Sequence, residues 1–133
     1  MAAHRVLIID DDKTLVALMT ALLRKEGFQV LAAFDGMSGF MTAQKQRPDL
    51  ILLDVQMPAG GGAGVWERLS ASANTQGIPV VYVTATATPG FAEEVTSQGA
   101  AGFIQKPFDP EIFGATVKGF FKRATGQTEA VKE

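Results

Sequence analysis

The sequence contains no cysteine. Disulfides and thiolate metal sites are therefore excluded, and the absence suits a reducing compartment. It contains no apolar run that approaches membrane-spanning length. Val6 to Ile9 is too short for the apolar core of a signal peptide, and Asp10 to Asp12 follow at once. Positive charge is not in excess: the net charge of -2 offers no electrostatic footprint for nucleic acid. No internal repeat is present. Histidine occurs once, at His4, ahead of the first strand signal. That position reads as a solvated terminal residue rather than a metal ligand or a phosphohistidine. What remains is an ordinary balance over 133 residues, with 47% apolar and 20% charged side chains. That is enough for one domain with a real core.

The apolar residues fall into short runs. Leu50-Ile51-Leu52-Leu53 stops at Asp54, and Val6-Leu7-Ile8-Ile9 stops at Asp10-Asp11-Asp12. Both read as strands buried on two faces. Phe28 to Ala33, Val80 to Thr84 and Gly102 to Gln105 are further strand signals. Between them lie helical patterns. Leu15, Leu18, Met19, Leu22 and Leu23 recur at helical spacing before Gly27. Asp35 caps a second helix through about Gln46, weakened by Gly36 and Gly39 and ended by Arg47-Pro48. The run Ala59 to Gly64 reads as a flexible loop, followed by a helix carrying Val65, Trp66 and Leu69 and ending before Gly77. Thr88-Pro89 opens a helix that stops near Gly99, and Asp109-Pro110 opens the last one, with Phe113, Val117, Phe120 and Phe121 on one face. Strand alternates with helix five times. The expectation is an α/β fold: a doubly wound, five-stranded parallel sheet with five helices on its two faces. The domain covers 1–124, and 125–133 is a polar tail.

In a parallel sheet every strand ends on the same edge. Asp10 and Asp11 follow the first strand, and Asp54 ends the third. Thr84 ends the fourth, and Lys106 follows the fifth. The fold therefore gathers three carboxylates, a hydroxyl and an ammonium where open α/β sheets place their sites. Crowded carboxylates repel one another, and a hard cation offsets the repulsion. Oxygen ligands with retained waters favour magnesium. A lysine adds a point charge suited to phosphate. Such a set can position and neutralise a phosphoryl group in transfer. Each residue also has an ordinary role, as helix cap, strand threonine or surface lysine, and singly those roles are favoured. Their joint appearance at successive strand ends is hard to obtain by chance.

Ile8-Ile9-Asp10-Asp11-Asp12, Leu53-Asp54-Val55-Gln56-Met57-Pro58, Val83-Thr84-Ala85 and Lys106-Pro107-Phe108 occur in this order across roughly residues 5 to 123. In these motifs the chain resembles the receiver domains of two-component response regulators. The resemblance implies a flavodoxin-like sheet of order 2-1-3-4-5, in a cytoplasmic phosphorelay protein. It implies that Asp54 accepts a phosphoryl group from a sensor histidine kinase or phosphotransfer protein. Asp11 and Asp54 would ligate Mg2+ through carboxylates, Gln56 through its backbone carbonyl, and Asp10 through water. Thr84 and Lys106 would bind the phosphoryl oxygens, Phe103 would be the mobile switch aromatic, and the Lys106-Pro107 peptide would be cis. Side chains at Gln56 and Thr86 would set the lifetime of the phosphorylated state. An output partner or a homodimer would meet the last strand and its flanking helices, with no direct nucleic-acid binding and no membrane insertion.

Two departures stand out. Phe103 lacks the hydroxyl that the family often carries there. The glycine-rich run after Pro58 exceeds the family's usual single glycine, for which Gly62 has the best spacing. Two other functions compete. An aspartate-nucleophile phosphohydrolase needs a second Asp two positions on, and that position is Gln56. A non-phosphorylated interaction module does not need the full acidic cluster with Thr84 and Lys106. After the last helix only about ten residues remain, too few for a DNA-binding module. The sequence is thus expected to be a stand-alone receiver or part of a longer regulator.

Overall fold

A computed structural model of the chain describes residues 4–54, 61–85, 90, 93, 97 and 99–125. Five strands, β1 (Arg5–Ile9), β2 (Gln29–Ala33), β3 (Leu50–Asp54), β4 (Val80–Thr84) and β5 (Gly102–Gln105), form one sheet. Its order is β2-β1-β3-β4-β5 and every pairing is parallel. The order and direction match the sequence expectation. Four helices are described: α1 (Lys13–Lys25), α2 (Gly36–Gln46), α3 (Gly61–Ala71) and α4 (Pro110–Thr125). The fifth expected helix, from Thr88-Pro89 to near Gly99, falls largely outside the described residues.

The strands divide the core by parity, because successive side chains leave a strand on opposite faces. Val6, Ile8, Leu50, Leu52, Val81 and Val83 pack with Met19 and Leu23 of α1 and with Phe113 and Val117 of α4. Leu7, Ile9, Ile51, Leu53 and Tyr82 pack with Ala43 of α2 and with Val65 and Leu69 of α3. β3 and β4 are buried throughout, which is why they read as near-continuous apolar runs.

Helix boundaries follow local chemistry. Asp12 caps α1, its Oδ1 accepting from the Leu15 N–H at 3.0 Å. Asp35 caps α2 through the Ser38 N–H at 2.8 Å. Asp109 accepts from the Glu111 N–H at 2.9 Å. α1 runs out into Gly27 at φ 96°, and α2 ends at Arg47 in the left-handed region. One expectation is corrected. Gly61 to Gly64 belong to α3, not to a loop; the end of α3 at Ala71, ahead of Gly77, is as expected. Burial of Val65 and Leu69 outweighs the weak helix propensity of the glycines.

Candidate functional site

The carboxyl edge of the sheet collects the charged residues. β1 ends at Ile9, and the Asp10 N–H then donates to the Ala33 carbonyl at 3.1 Å. That bond holds the turn after β1 against the end of β2. Asp10 Oδ1 accepts from the Asp12 N–H at 2.9 Å, so the turn that presents the acidic run is fixed by its own first member. Asp54 closes β3 beside Val83 of β4. Carboxylate oxygens of Asp10, Asp11 and Asp54 all lie within 4.8 Å of one another. Asp10 and Asp54 are buried and Asp11 is exposed.

Lys106 reaches into this group. Its Nζ lies 3.0 Å from Asp10 Oδ2 and 3.7 Å from Asp54 Oδ2. Its backbone N–H donates to the Thr84 carbonyl at 2.7 Å, so the turn after β5 is tied to the end of β4. The Lys106-Pro107 peptide is cis. Thr84 is fully buried, and Asp10 is almost so. Among the described residues one ammonium is within ion-pair distance of two buried carboxylates, with the exposed Asp11 beside them, and net negative charge remains. Burying unbalanced charge is costly. A small hard cation among oxygen donors is the simplest compensation, and these donors suit magnesium or calcium rather than a soft metal.

The edge therefore brings together Asp10, Asp11, Asp54, Thr84 and Lys106. Phe103 stands opposite Tyr82 in the β4–β5 ladder, half-buried against the α2–α3 side of the core. Gln56 and Thr86 lie outside the described residues. Gly62 lies in the first turn of α3. His4 is not simply solvated: its ring lies 4.3 Å from that of Phe121, and Nδ1 is 3.7 Å from Asp49 Oδ2. It sits at the opposite edge of the sheet, away from the carboxylates. A feature not foreseen from sequence is Lys13, whose Nζ lies 5.4 Å from the centre of the Phe34 ring. Phe34 follows the strand end to which Asp10 is bonded. An exposed aromatic one residue past a strand was the available signal.

Comparison with known proteins agrees with this arrangement. The family described as "Response regulator receiver domain" matches residues 6–118. Protein PilH of Pseudomonas aeruginosa is 36% identical over 85% of this chain and 93% of its own length. The DNA-binding response regulator MtrA of Mycobacterium tuberculosis is 34% identical over 90% of this chain, but this chain spans only 51% of MtrA. Among solved structures, the receiver domain of the sensor histidine kinase PA1611 from Pseudomonas aeruginosa has a TM-score of 0.79 and 27% identity. It covers 94% of this chain and 99% of its own, and holds a magnesium ion in its active-site cleft. Among the described residues no helix is long and apolar enough to cross a membrane.

Proposed function

The chain belongs to the response regulator receiver family and so has a phosphoacceptor signalling role; on that premise we propose that Asp54 is the acceptor. The observation that carries this is the placement of Lys106, whose ammonium lies between Asp10 and Asp54 where three strands end. An oxygen of Asp54 forms the bond to phosphorus as the phosphorus–nitrogen bond of a phosphohistidine breaks. The electron pair stays on the imidazole nitrogen. The protein catalyses this step on itself, and later the hydrolysis, with Gln56 and Thr86 flanking the path of water.

Asp11 and Asp54 hold Mg2+ through carboxylates, Gln56 through its backbone carbonyl and Asp10 through water. The mutual approach of the three carboxylates supports their part in this set. When bound, the ion supplies positive charge against the phosphoryl oxygens. Thr84 donates its hydroxyl to those oxygens and Lys106 pairs with them. Thr84 then moves toward Asp54, and Phe103 shifts its inward population. Without a hydroxyl the Phe103 ring gains packing but no terminal hydrogen bond, so the coupling is loose. The altered surface is β5 with the helices around it, about 89–98 and Asp109 to Arg123, where an output partner or a second copy docks.

The receiver unit is 1–124 with five helices and a tail from 125, and it works in the cytoplasm with a histidine kinase or phosphotransfer protein. Nucleic-acid contact is assigned to none of these residues, whose net charge of -2 is unsuited to it. MtrA is DNA-binding by name and twice as long, so any such output is left to a segment of that kind. A phosphohydrolase reading is disfavoured by Gln56.

Intact mass after incubation with acetyl phosphate and Mg2+ tests the assignment. One phosphoryl group is expected on the native protein and none on Asp54→Asn. A phosphorylated Asp54→Asn protein overturns it.

A further inference from the structure

Lys13 is the first residue of α1, and no acidic residue lies in that helix's first turn. A cation there opposes the helix dipole, which favours negative charge at this end. Two carboxylates stand close in sequence, Asp11 and Asp12. Yet among the described residues no carboxylate pairs with Lys13. Asp12 is occupied as the helix cap. The ammonium instead sits over the ring of Phe34, which is 40% exposed. A cation over an aromatic face keeps its full charge and is steadied in place.

The pair has a defined position. Asp10 is bonded to Ala33, and Phe34 is the next residue, so Phe34 and Lys13 occupy the β2 side of the carboxylate edge. Lys106 enters the same edge from the β5 side. The acidic cluster is thus flanked by two cations. One is drawn into the carboxylates, and the other is held away from them.

Building on the assignment of Asp54 above, we propose that Lys13, steadied by Phe34, is a specificity-determining residue for the phosphodonor. Lys106 sits inside the cluster, against Asp10 and Asp54, and meets the phosphoryl group there. Lys13 carries its charge outside the cluster, on the same edge of the sheet. It favours donors in proportion to their negative charge. In water, a unit cation about 7 Å from the donor favours a dianion roughly sevenfold and a monoanion roughly threefold. Salt screens both effects. Acetyl phosphate is a dianion at neutral pH, and phosphoramidate carries one net negative charge. On a partner protein, the matching feature is a phosphohistidine set among acidic side chains.

The test compares rate constants for the two donors at low ionic strength, with saturating Mg2+. The expected result is a ratio of acetyl phosphate to phosphoramidate that falls about two- to threefold in Lys13→Ala, with thermal stability unchanged. Lys13→Arg should keep the native ratio, because it keeps both the charge and the stacking. Phe34→Leu should lower the ratio part of the way, because it frees the ammonium to turn toward Asp11. Added salt should slow acetyl phosphate on the native protein more than on Lys13→Ala. An unchanged ratio and salt response in Lys13→Ala overturns the role of Lys13, and an unchanged ratio in Phe34→Leu overturns that of Phe34. If the native protein takes a phosphoryl group from neither donor, the assignment of Asp54 itself fails. A second readout needs no turnover: acetyl phosphate added to Asp54→Asn should shift the NMR signals of the Lys13 side chain and the Phe34 ring, and absence of those shifts counts against the proposal.

Discussion

Lys106 is closer to Asp10 than to Asp54, so its charge is shared unequally between the two. Removing that charge should leave magnesium affinity unchanged or raised, since the ion then meets less positive charge. It should impair the phosphorylated state, which loses a direct charge contact. Calorimetric titration of Lys106→Ala with Mg2+, followed by phosphorylation of the same protein, separates the two effects. Weaker magnesium binding would mean that Lys106 orders the carboxylates more than it competes with the ion. A second residue-scale effect lies in the core. Burial pushes the Tyr82 phenol up to about 12 from its ordinary value of 10. The folded protein therefore keeps a proton that the unfolded chain releases between those values. Stability is intact below about pH 10 and falls as pH rises from about 10 to about 12. Urea midpoints at about pH 9 and about pH 11 should drop further in the native protein than in Tyr82→Phe. Equal drops would place the cause elsewhere. At this scale the sequence was legible where a residue sits at a strand end, as Asp54, Thr84 and Lys106 do. The parallel topology brought Lys106 to the acidic edge, 96 positions from Asp10, but its closer approach to Asp10 than to Asp54 is a matter of side-chain rotamer and left no mark in the sequence.

Among the elements, what the sequence displayed best were the caps Asp35 and Asp109, because a cap is a local bond. Asp12, Asp35 and Asp109 each accept from an N–H two or three residues on. The Ser38 N–H, and then its hydroxyl, hold the Asp35 carboxyl below the usual range. Glycines were read less well, because propensity is blind to distant partners. A Cβ on Gly39 would stand 2.6 Å from Ile9 Cδ1, with two more Ile9 atoms at 2.8 Å. α2 can approach β1 closely only without that atom. Gly64, in α3, would meet nothing within 4 Å. Alanine at these two sites should therefore act in opposite directions. Gly64→Ala should add about 0.5–1 kcal/mol of stability. At Gly39, overpacking of about 1–3 kcal/mol exceeds a helix-propensity gain of about 1 kcal/mol, giving a net loss of about 1 kcal/mol. Urea denaturation of both variants checks this. A stabilised Gly39→Ala would show that Ile9 moves aside at little cost.

For the molecule as a whole, the alternation of strand and helix was sufficient for a parallel sheet, while the strand order came from the family resemblance. The site is a property of that order. Its carboxylates come from β1 and β3, which are adjacent only because the chain crosses over between them. Occupation of the site should therefore tighten the whole fold. Mg2+ should raise the thermal midpoint with rising concentration, as binding to the folded state alone requires. Chelation should reverse the rise, and Asp11→Ala should abolish it. An equal rise in Asp11→Ala would place the ion elsewhere.

The same strand order sets a schedule for synthesis. β1 is made first, yet it lies inside the finished sheet, with Arg5 beside Gln29 of β2 and Val6 beside Leu50 of β3. At about 5–20 residues per second, β1 waits roughly two to nine seconds after its own emergence for its second neighbour. During that interval Val6 to Ile9 have two open flanks until β2 emerges and one thereafter, and no complete layer of helices. A stall with only β1 and β2 emerged leaves a sticky nascent chain, and one after Asp54 has emerged leaves a chain whose first strand is already closed in.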